Sequence, residues 1–436
     1  MRGSKLVDSR KSIVLSLVIA LAVSGLAAQQ HTIEEVASGL RAPDPATRLR
    51  AVRILREGGY PEAAGPLAVA LSDPDDRVKL NAIDAERALF TLRPVTRRKR
   101  VGFVIEVRTT DVGGEAYSAG KLALLPFRVP AEVLSGLAEA MRSSNPRVRL
   151  EALNVFGTLS PLGGSAAEDE IRSGMSWTLE ALKRGNKAEQ MAAAMTAGRT
   201  MEDCGPGRPT TPDPSGALCA TVGNALVQAV NSRDVDVRRA AMAALGQLRY
   251  SNATQALADQ FSYYQRGPDA EAALAGLAAI GHDTSVDIFK RALASPDAEI
   301  RRLAVEGLAR AGSAEDLPDL DRLTASERSN GVLLALHYAT LMLGAPQKPD
   351  QIVASLGDSA LRPRALRYLM DLSRSMAPVL AESLANPDAD TRMFVADVLG
   401  FSRDATVIPA LQAASNDPDA DVARAAVRAI DRIRLR

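Results

Sequence analysis

The sequence predicts an all-α solenoid, a stack of helix pairs with one β-hairpin inserted. Three observations carry that expectation. Two stretches near the C-terminus nearly repeat each other: NPDADTRMFVADVLG from Asn386 and NDPDADVARAAVRAI from Asn416. Their matching positions Thr391 and Val422 lie 31 residues apart, a period typical of stacked repeats. The 436-residue chain is 46% hydrophobic but only 4% aromatic, with Ala and Leu in the lead. Those residues lose little on entering a helix, whereas sheets draw on β-branched and aromatic side chains.

Each copy reads as a turn followed by a helix. In the first, Pro387 suits a helix start, and Asp388 and Asp390 sit where the helix N-terminus favours negative charge. Thr391, Val395, Val398 and Leu399 then fall at offsets 0, 4, 7 and 8, one apolar stripe of a helix, and Gly400 ends it. The second copy places Val422, Ala426, Ala429 and Ile430 at the same offsets. The preceding helices repeat as well, with Pro378 and Pro409 again 31 residues apart. Clear copies begin at Ser72, Ser143, Ser232 and Ser295, and fainter ones at Pro43, Asn186, Gly267, Gly331 and Ser359. That makes about ten or eleven helix pairs. One pair cannot bury its apolar face alone; stacking buries it against the neighbours and yields an extended, curved surface.

A basic residue follows the first apolar position in most copies: Arg48, Lys79, Arg149, Arg238, Arg301, Arg362 and Arg392. An acid stands just before it in several: Asp75, Asp234, Asp297, Asp388 and Asp419. Stacking brings these charges together as an ion-pair ladder. A basic binding groove is the rival reading. The fixed spacing of each acid to each base, and their cancellation, favour the ladder.

These variants of DPDxxVRxxAxxAL, with a proline in the first helix, resemble the HEAT family, specifically its short, bilin-lyase-like repeats, over most of the chain. The resemblance implies a HEAT-like right-handed superhelix of antiparallel helix pairs. It also implies that the concave face binds other macromolecules.

Taken in order, residues 1–28 are expected to be a signal peptide. Arg2, Lys5, Arg10 and Lys11 precede the apolar run Ile13 to Ala28, and Gly25 and Ala27 supply the small residues of a cleavage site. An uncleaved anchor is the alternative; the run is short for a bilayer span. Residues 29–90 are expected to hold N-terminal repeats, 91–130 a β-hairpin insertion, 131–200 further repeats, 201–220 a disulfide-closed loop, and 221–436 the C-terminal repeats. The pair Cys204 and Cys219 reads as that disulfide, because an exported chain meets an oxidising compartment. In the insertion, Phe103, Ile105 and Val107 alternate with Val104, Glu106 and Arg108, the period of a strand. DVGGE then turns the chain, and AYSAGKLALLP returns as the second strand, ended by Pro126.

Insertions in solenoids often carry specificity, so Phe103, Ile105, Arg108 and Tyr117 are candidate partner-binding residues. The basic run containing Arg97, Arg98 and Arg100 is another candidate, set against an ordinary solvated loop. Phe261, Tyr263 and Tyr264 concentrate scarce aromatics near a helix end and form a third candidate, set against plain packing.

Chemistry is hard to find in the sequence. The three histidines, His31, His282 and His337, are far apart, and no zinc, phosphate-loop or nucleophile-elbow pattern occurs. No catalytic, metal or cofactor-binding residue is assigned, and no cofactor is expected. A net charge of +1 with interspersed signs offers no field for nucleic acid. The expectation is an exported bacterial protein, periplasmic or extracellular, acting as a non-catalytic scaffold for a protein partner. Two alternatives stand beside it. One is a ligand-binding or lyase-like enzyme accessory of the bilin-lyase-like group; the other is a solenoid tethered to the membrane by an uncleaved N-terminal helix.

Overall fold

A computed structural model describes residues 32–92, 95–100, 103–108, 120–202, 204 and 216–435, with backbone alone for 95–100 and 103–108. The expected signal segment 1–28 and Tyr117 lie outside these residues. Among the described residues, no helix is long and apolar enough to cross a membrane.

The described chain is a stack of eleven helix pairs. The second helices of the pairs, in order, are Pro45–Gly58, Asp76–Phe90, Pro146–Leu159, Lys187–Thr200, Val235–Leu248, Pro268–Ile280, Ala298–Ala311, Asn330–Met342, the first part of Arg362–Ala381, Ala389–Leu399 and Ala420–Arg434. Successive second helices pack directly on one another along the stack, whereas successive first helices mostly do not. The second helices therefore form the inner, shorter row of a curved solenoid. Arg362–Ala381 serves twice. It kinks at Met376 (φ −123°, ψ 22°), two residues before Pro378, and its last part opens the first helix of pair 10. Pro378 has no N–H to donate and crowds the preceding turn, which explains the break.

The repeated turn works as a cap. Asp44, Asp75, Asn145, Asn186, Asp234, Asp297, Asp388 and Asp419 each accept a backbone N–H from the first turn of their second helix. The expected apolar stripe is buried: Thr391, Val395, Val398 and Leu399 in pair 10, and Val422, Ala426, Ala429 and Ile430 in pair 11. Where the stripe needs a hollow it has glycine. At Gly307 a Cβ would lie 2.4–2.5 Å from ring carbons of the fully buried Phe289, which belongs to the first helix of the same pair. Gly307→Ala is expected to cost about 1–3 kcal/mol through overpacking, read as a lower urea midpoint with an unchanged slope.

Cys204 and Cys219 are joined by a disulfide, with their Cα atoms 5.9 Å apart. Both half-cystines are buried.

The insertion differs from the expected hairpin. Segment Phe103–Arg108 pairs antiparallel with the preceding segment Val95–Arg100, not with a following one. The described part of the expected return strand, from Gly120 on, is not a strand: Gly120–Ala123 forms a 3-10 turn, and Leu124 makes an isolated bridge to Thr91. The DVGGE turn lies outside the described residues. The nearer partner closes a shorter loop at lower entropic cost. The basic run Arg97, Arg98 and Arg100 thus lies in paired backbone, where a loop was expected.

Candidate interaction surface

The recurring arginine is the best-defined feature of the inner row. Arg301 donates from Nε and Nη2 to the Glu327 carboxylate at 2.7 and 2.9 Å, and from Nη1 to the carbonyls of Ser295 and Pro296 at 2.9 and 3.0 Å. Arg392 repeats the arrangement with Asp417 at 2.8 and 2.9 Å and the carbonyls of Asn386 and Pro387 at 2.8 and 3.1 Å. Arg48 does so with Asp73 at 2.6 and 2.9 Å and the carbonyls of Ala42 and Pro43. Arg149 binds Glu189 at 2.8 Å and the carbonyls of Ser143 and Ser144. In each case one guanidinium edge satisfies the turn of its own pair, and the other edge holds a carboxylate of the next. This planar, two-edged donor geometry is available to arginine and not to lysine. The fork holds the Glu327 carboxyl down at about 2, well below the usual carboxylate range. The bases are therefore rungs of a ladder and are spent inside the fold.

The ladder departs from the sequence expectation in its partners. Asp75, Asp234, Asp297, Asp388 and Asp419 are the helix caps, and the rungs end on other acids: Asp73, Glu189, Glu327 and Asp417. Two bases also differ. Lys79 pairs within its own helix with Asp76, and Arg362 donates to the Leu356 carbonyl and lies over the Phe394 ring. Arg238 shares Asp269 with Arg239.

A second constellation was not visible in the sequence. Three inner helices, of pairs 7, 8 and 9, converge on two stacked tyrosines. The rings of Tyr338 and Tyr368 lie 4.3 Å apart at 9°, and both are buried. The Tyr338 hydroxyl donates to Asp371 at 2.9 Å, and Arg310 donates to the same carboxylate at 2.9 Å while lying 5.5 Å from the Tyr338 ring centre. The Tyr368 hydroxyl donates to Glu306, which also receives Arg302; Arg302 holds Glu299 as well. Burial pushes both phenols above their ordinary range. Every polar group named here meets another, so the cluster braces pair 9 against pair 7 across pair 8. The recoverable signal was the arginine–glutamate–arginine series at residues 302, 306 and 310, one side of a helix, facing tyrosines 30 residues apart.

Of the candidate partner-binding residues, only the aromatic trio at the end of helix Thr254–Tyr264 has its side chains described. For Phe103, Ile105, Arg108, Arg97, Arg98 and Arg100 only backbone is described. Tyr263 stands 79% exposed at the end of helix Thr254–Tyr264, edge-on to Tyr264 with ring centres 4.9 Å apart. Tyr264 and Phe261 pack partly against the core, and Arg238 lies over the Tyr264 ring at 5.8 Å. Only Tyr263 of that trio is free for a partner. His282 accepts from Thr284 in a helix cap, and His337 is half-buried, its imidazole pushed down by burial. Among the described residues, no group of three or more His, Cys, Asp or Glu is placed to hold a metal ion.

Residues 268–339 and 350–434 match the family model described as HEAT repeats. With the capped turn, the paired helices and the stacked inner row, these two stretches are HEAT repeats. Three solved structures align at low identity. An engineered protein aligns at 17% identity and TM-score 0.39, over 92% of this chain and 98% of its own. The complex of CpcE and CpcF of phycocyanin lyase from Nostoc sp. PCC7120 aligns at 17% and 0.38, over 59% of this chain and 93% of its own. Importin beta aligns at 16% and 0.36, over 92% of this chain and 50% of its own. No curated protein matches the sequence.

Proposed function

We propose that this chain is an exported, non-catalytic scaffold that binds a protein partner through its solenoid surface and the segment inserted between pairs 2 and 3. The observation that carries this reading is the fate of the repeated charges. Arg48, Arg149, Arg301, Arg392 and Arg310 and their acids are bound to one another in the ladder and in the tyrosine brace. Tyr263 faces outward as an exposed aromatic anchor. Aromatic anchors of that kind dominate protein–protein recognition. The N-terminal sequence, with its basic start and small-residue exit, supports export.

The test is quantitative capture from the exported fraction. It compares the full chain, a variant with residues 96–119 replaced by a Gly–Ser linker, and Tyr263→Ala. The replacement spares residues 123–125, which are stitched to the end of pair 2. A stoichiometric protein lost from either variant, with melting unchanged, supports the scaffold. A chain that retains no protein but turns over a substrate or carries a chromophore overturns it.

A further inference from the structure

The last helix of the stack meets the segment between pairs 2 and 3. The segment 121–129 crosses the C-terminal ends of several inner helices. Leu92 donates to the Ala123 carbonyl at 2.7 Å and Leu125 to the Phe90 carbonyl at 2.8 Å, so the segment is stitched to the exit of pair 2. Val129 donates to the Leu162 carbonyl at 3.2 Å, just past the inner helix of pair 3. Lys121 pairs with Glu202, just past the inner helix of pair 4. The same segment then receives the last helix of the chain. Arg432 donates from Nη2 to the Leu124 carbonyl at 2.6 Å, and Arg128 donates from Nη2 to the Leu435 carbonyl at 2.8 Å. These partners are 308 and 307 residues apart in sequence.

The contact is a built feature of the fold. Arg432 is only 6% exposed and stacks over the Phe401 ring at 4.3 Å. Arg128 places a positive charge at the C-terminal end of helix Ala420–Arg434, where the helix dipole favours a cation. It reaches that place by passing directly over Gly164, which has a φ of +65°; a Cβ there would lie 2.2 Å from the Arg128 Nη1. Glycine thus supplies both the backbone conformation and the space. The joint also differs in kind from the others. Neighbouring pairs meet through apolar helix faces, whereas here two guanidinium groups meet two carbonyls and no helix of pair 3 lies flat on the last helix.

We propose that segment 121–129 is a latch that closes pairs 3 to 11 into a ring in solution, and that this polar joint is where the ring opens. The inner row of a closed ring is reached only from its two mouths. Release of the latch exposes that row from the side, so the latch governs what the solenoid can admit.

Spin labels at Asp169→Cys and Gln412→Cys in the full chain, with the native disulfide kept oxidised, measure the separation across the joint by double electron–electron resonance. The closed ring gives one narrow distance distribution. Adding R128A and R432A together is expected to broaden it and move it to longer distance. Gly164→Val, which blocks the path of Arg128, is expected to act in the same direction, and Arg434→Ala to leave it unchanged. A broad, long distribution in the otherwise native chain overturns the proposal even if the double variant fails to fold. A narrow distribution that survives both R128A/R432A and Gly164→Val also overturns it.

Discussion

Glu86→Met stabilises the protein at neutral pH. Glu86 occupies offset 8 of the apolar stripe in pair 2, the position held by Leu399 and Ile430 in pairs 10 and 11. It is fully buried, and neither carboxylate oxygen has a hydrogen-bond partner. Burial, reinforced by the nearby Glu132 charge, pushes its carboxyl well above the ordinary carboxylate range. A polar group buried without a partner costs about 1–3 kcal/mol in proteins, and methionine keeps the length while removing the polarity. The pH dependence has a definite sign. The folded-state value lies above the unfolded one, so the fold keeps its full stability below about pH 4.3, the ordinary glutamate value. Stability is lost as pH rises toward the raised value. Urea titrations at pH 4.5 and 7.5 are expected to show a larger gain for Glu86→Met at the higher pH. A variant less stable than the parent at both would mean that the carboxylate has a partner.

The opposite effect is expected at the ladder. Arg301→Ala leaves the Glu327 carboxylate with its side chain only 2% exposed. Its remaining donors are the backbone N–H groups of Arg328 and Ser329, each at 2.8 Å, and the carbonyls of Ser295 and Pro296 lose Nη1. Breaking this part-buried, charge-assisted pair from one side costs about 1.5–3 kcal/mol. Arg301→Lys keeps the charge but not the two-edged geometry, and should fall between. Glu327 is held near 2, below its unfolded value, so its contribution is present above about pH 4.3 and is lost as pH falls toward 2. The Arg301→Ala variant should therefore lose stability less steeply on acidification than the parent. Melts recorded from pH 7 down to pH 2.5 read this directly.

The repeat was legible because it is local. Helix caps, apolar offsets and breaking prolines are properties of ten to fifteen consecutive residues, and the stripe from Thr391 to Leu399 is buried as its spacing requires. The ladder was legible as a pattern but not in its pairing. The acids adjacent to each arginine have the shorter path to a cap, so Asp388 closes the turn and Asp417 receives Arg392. The separation of 25 residues from Arg48 to Asp73 and from Arg392 to Asp417 was in the sequence, and only the stack gives it meaning. The insertion misled because strand alternation identifies a strand and not its partner. The tyrosine brace and the contact between Arg432 and Leu124 depend on curvature, which accumulates over many pairs and is written in no single one. The candidate site was the least legible for a related reason: of the aromatics at the end of helix Thr254–Tyr264, packing leaves Tyr263 outside and takes Phe261 and Tyr264 in.

The repeated arginines join one pair to the next and are not offered to a ligand. A double-mutant cycle on Arg392 and Asp417 tests it most directly, using Arg392→Ala, Asp417→Ala and the two together in equilibrium unfolding. The two side chains are 2.8 Å apart and only 14% and 10% exposed. A coupling of about 1–3 kcal/mol is expected, largely retained in high salt because the pair is shielded from solvent. Additive single effects near zero, with Arg392→Ala as stable as the parent, would contradict it and return the arginines to the role of a basic binding groove.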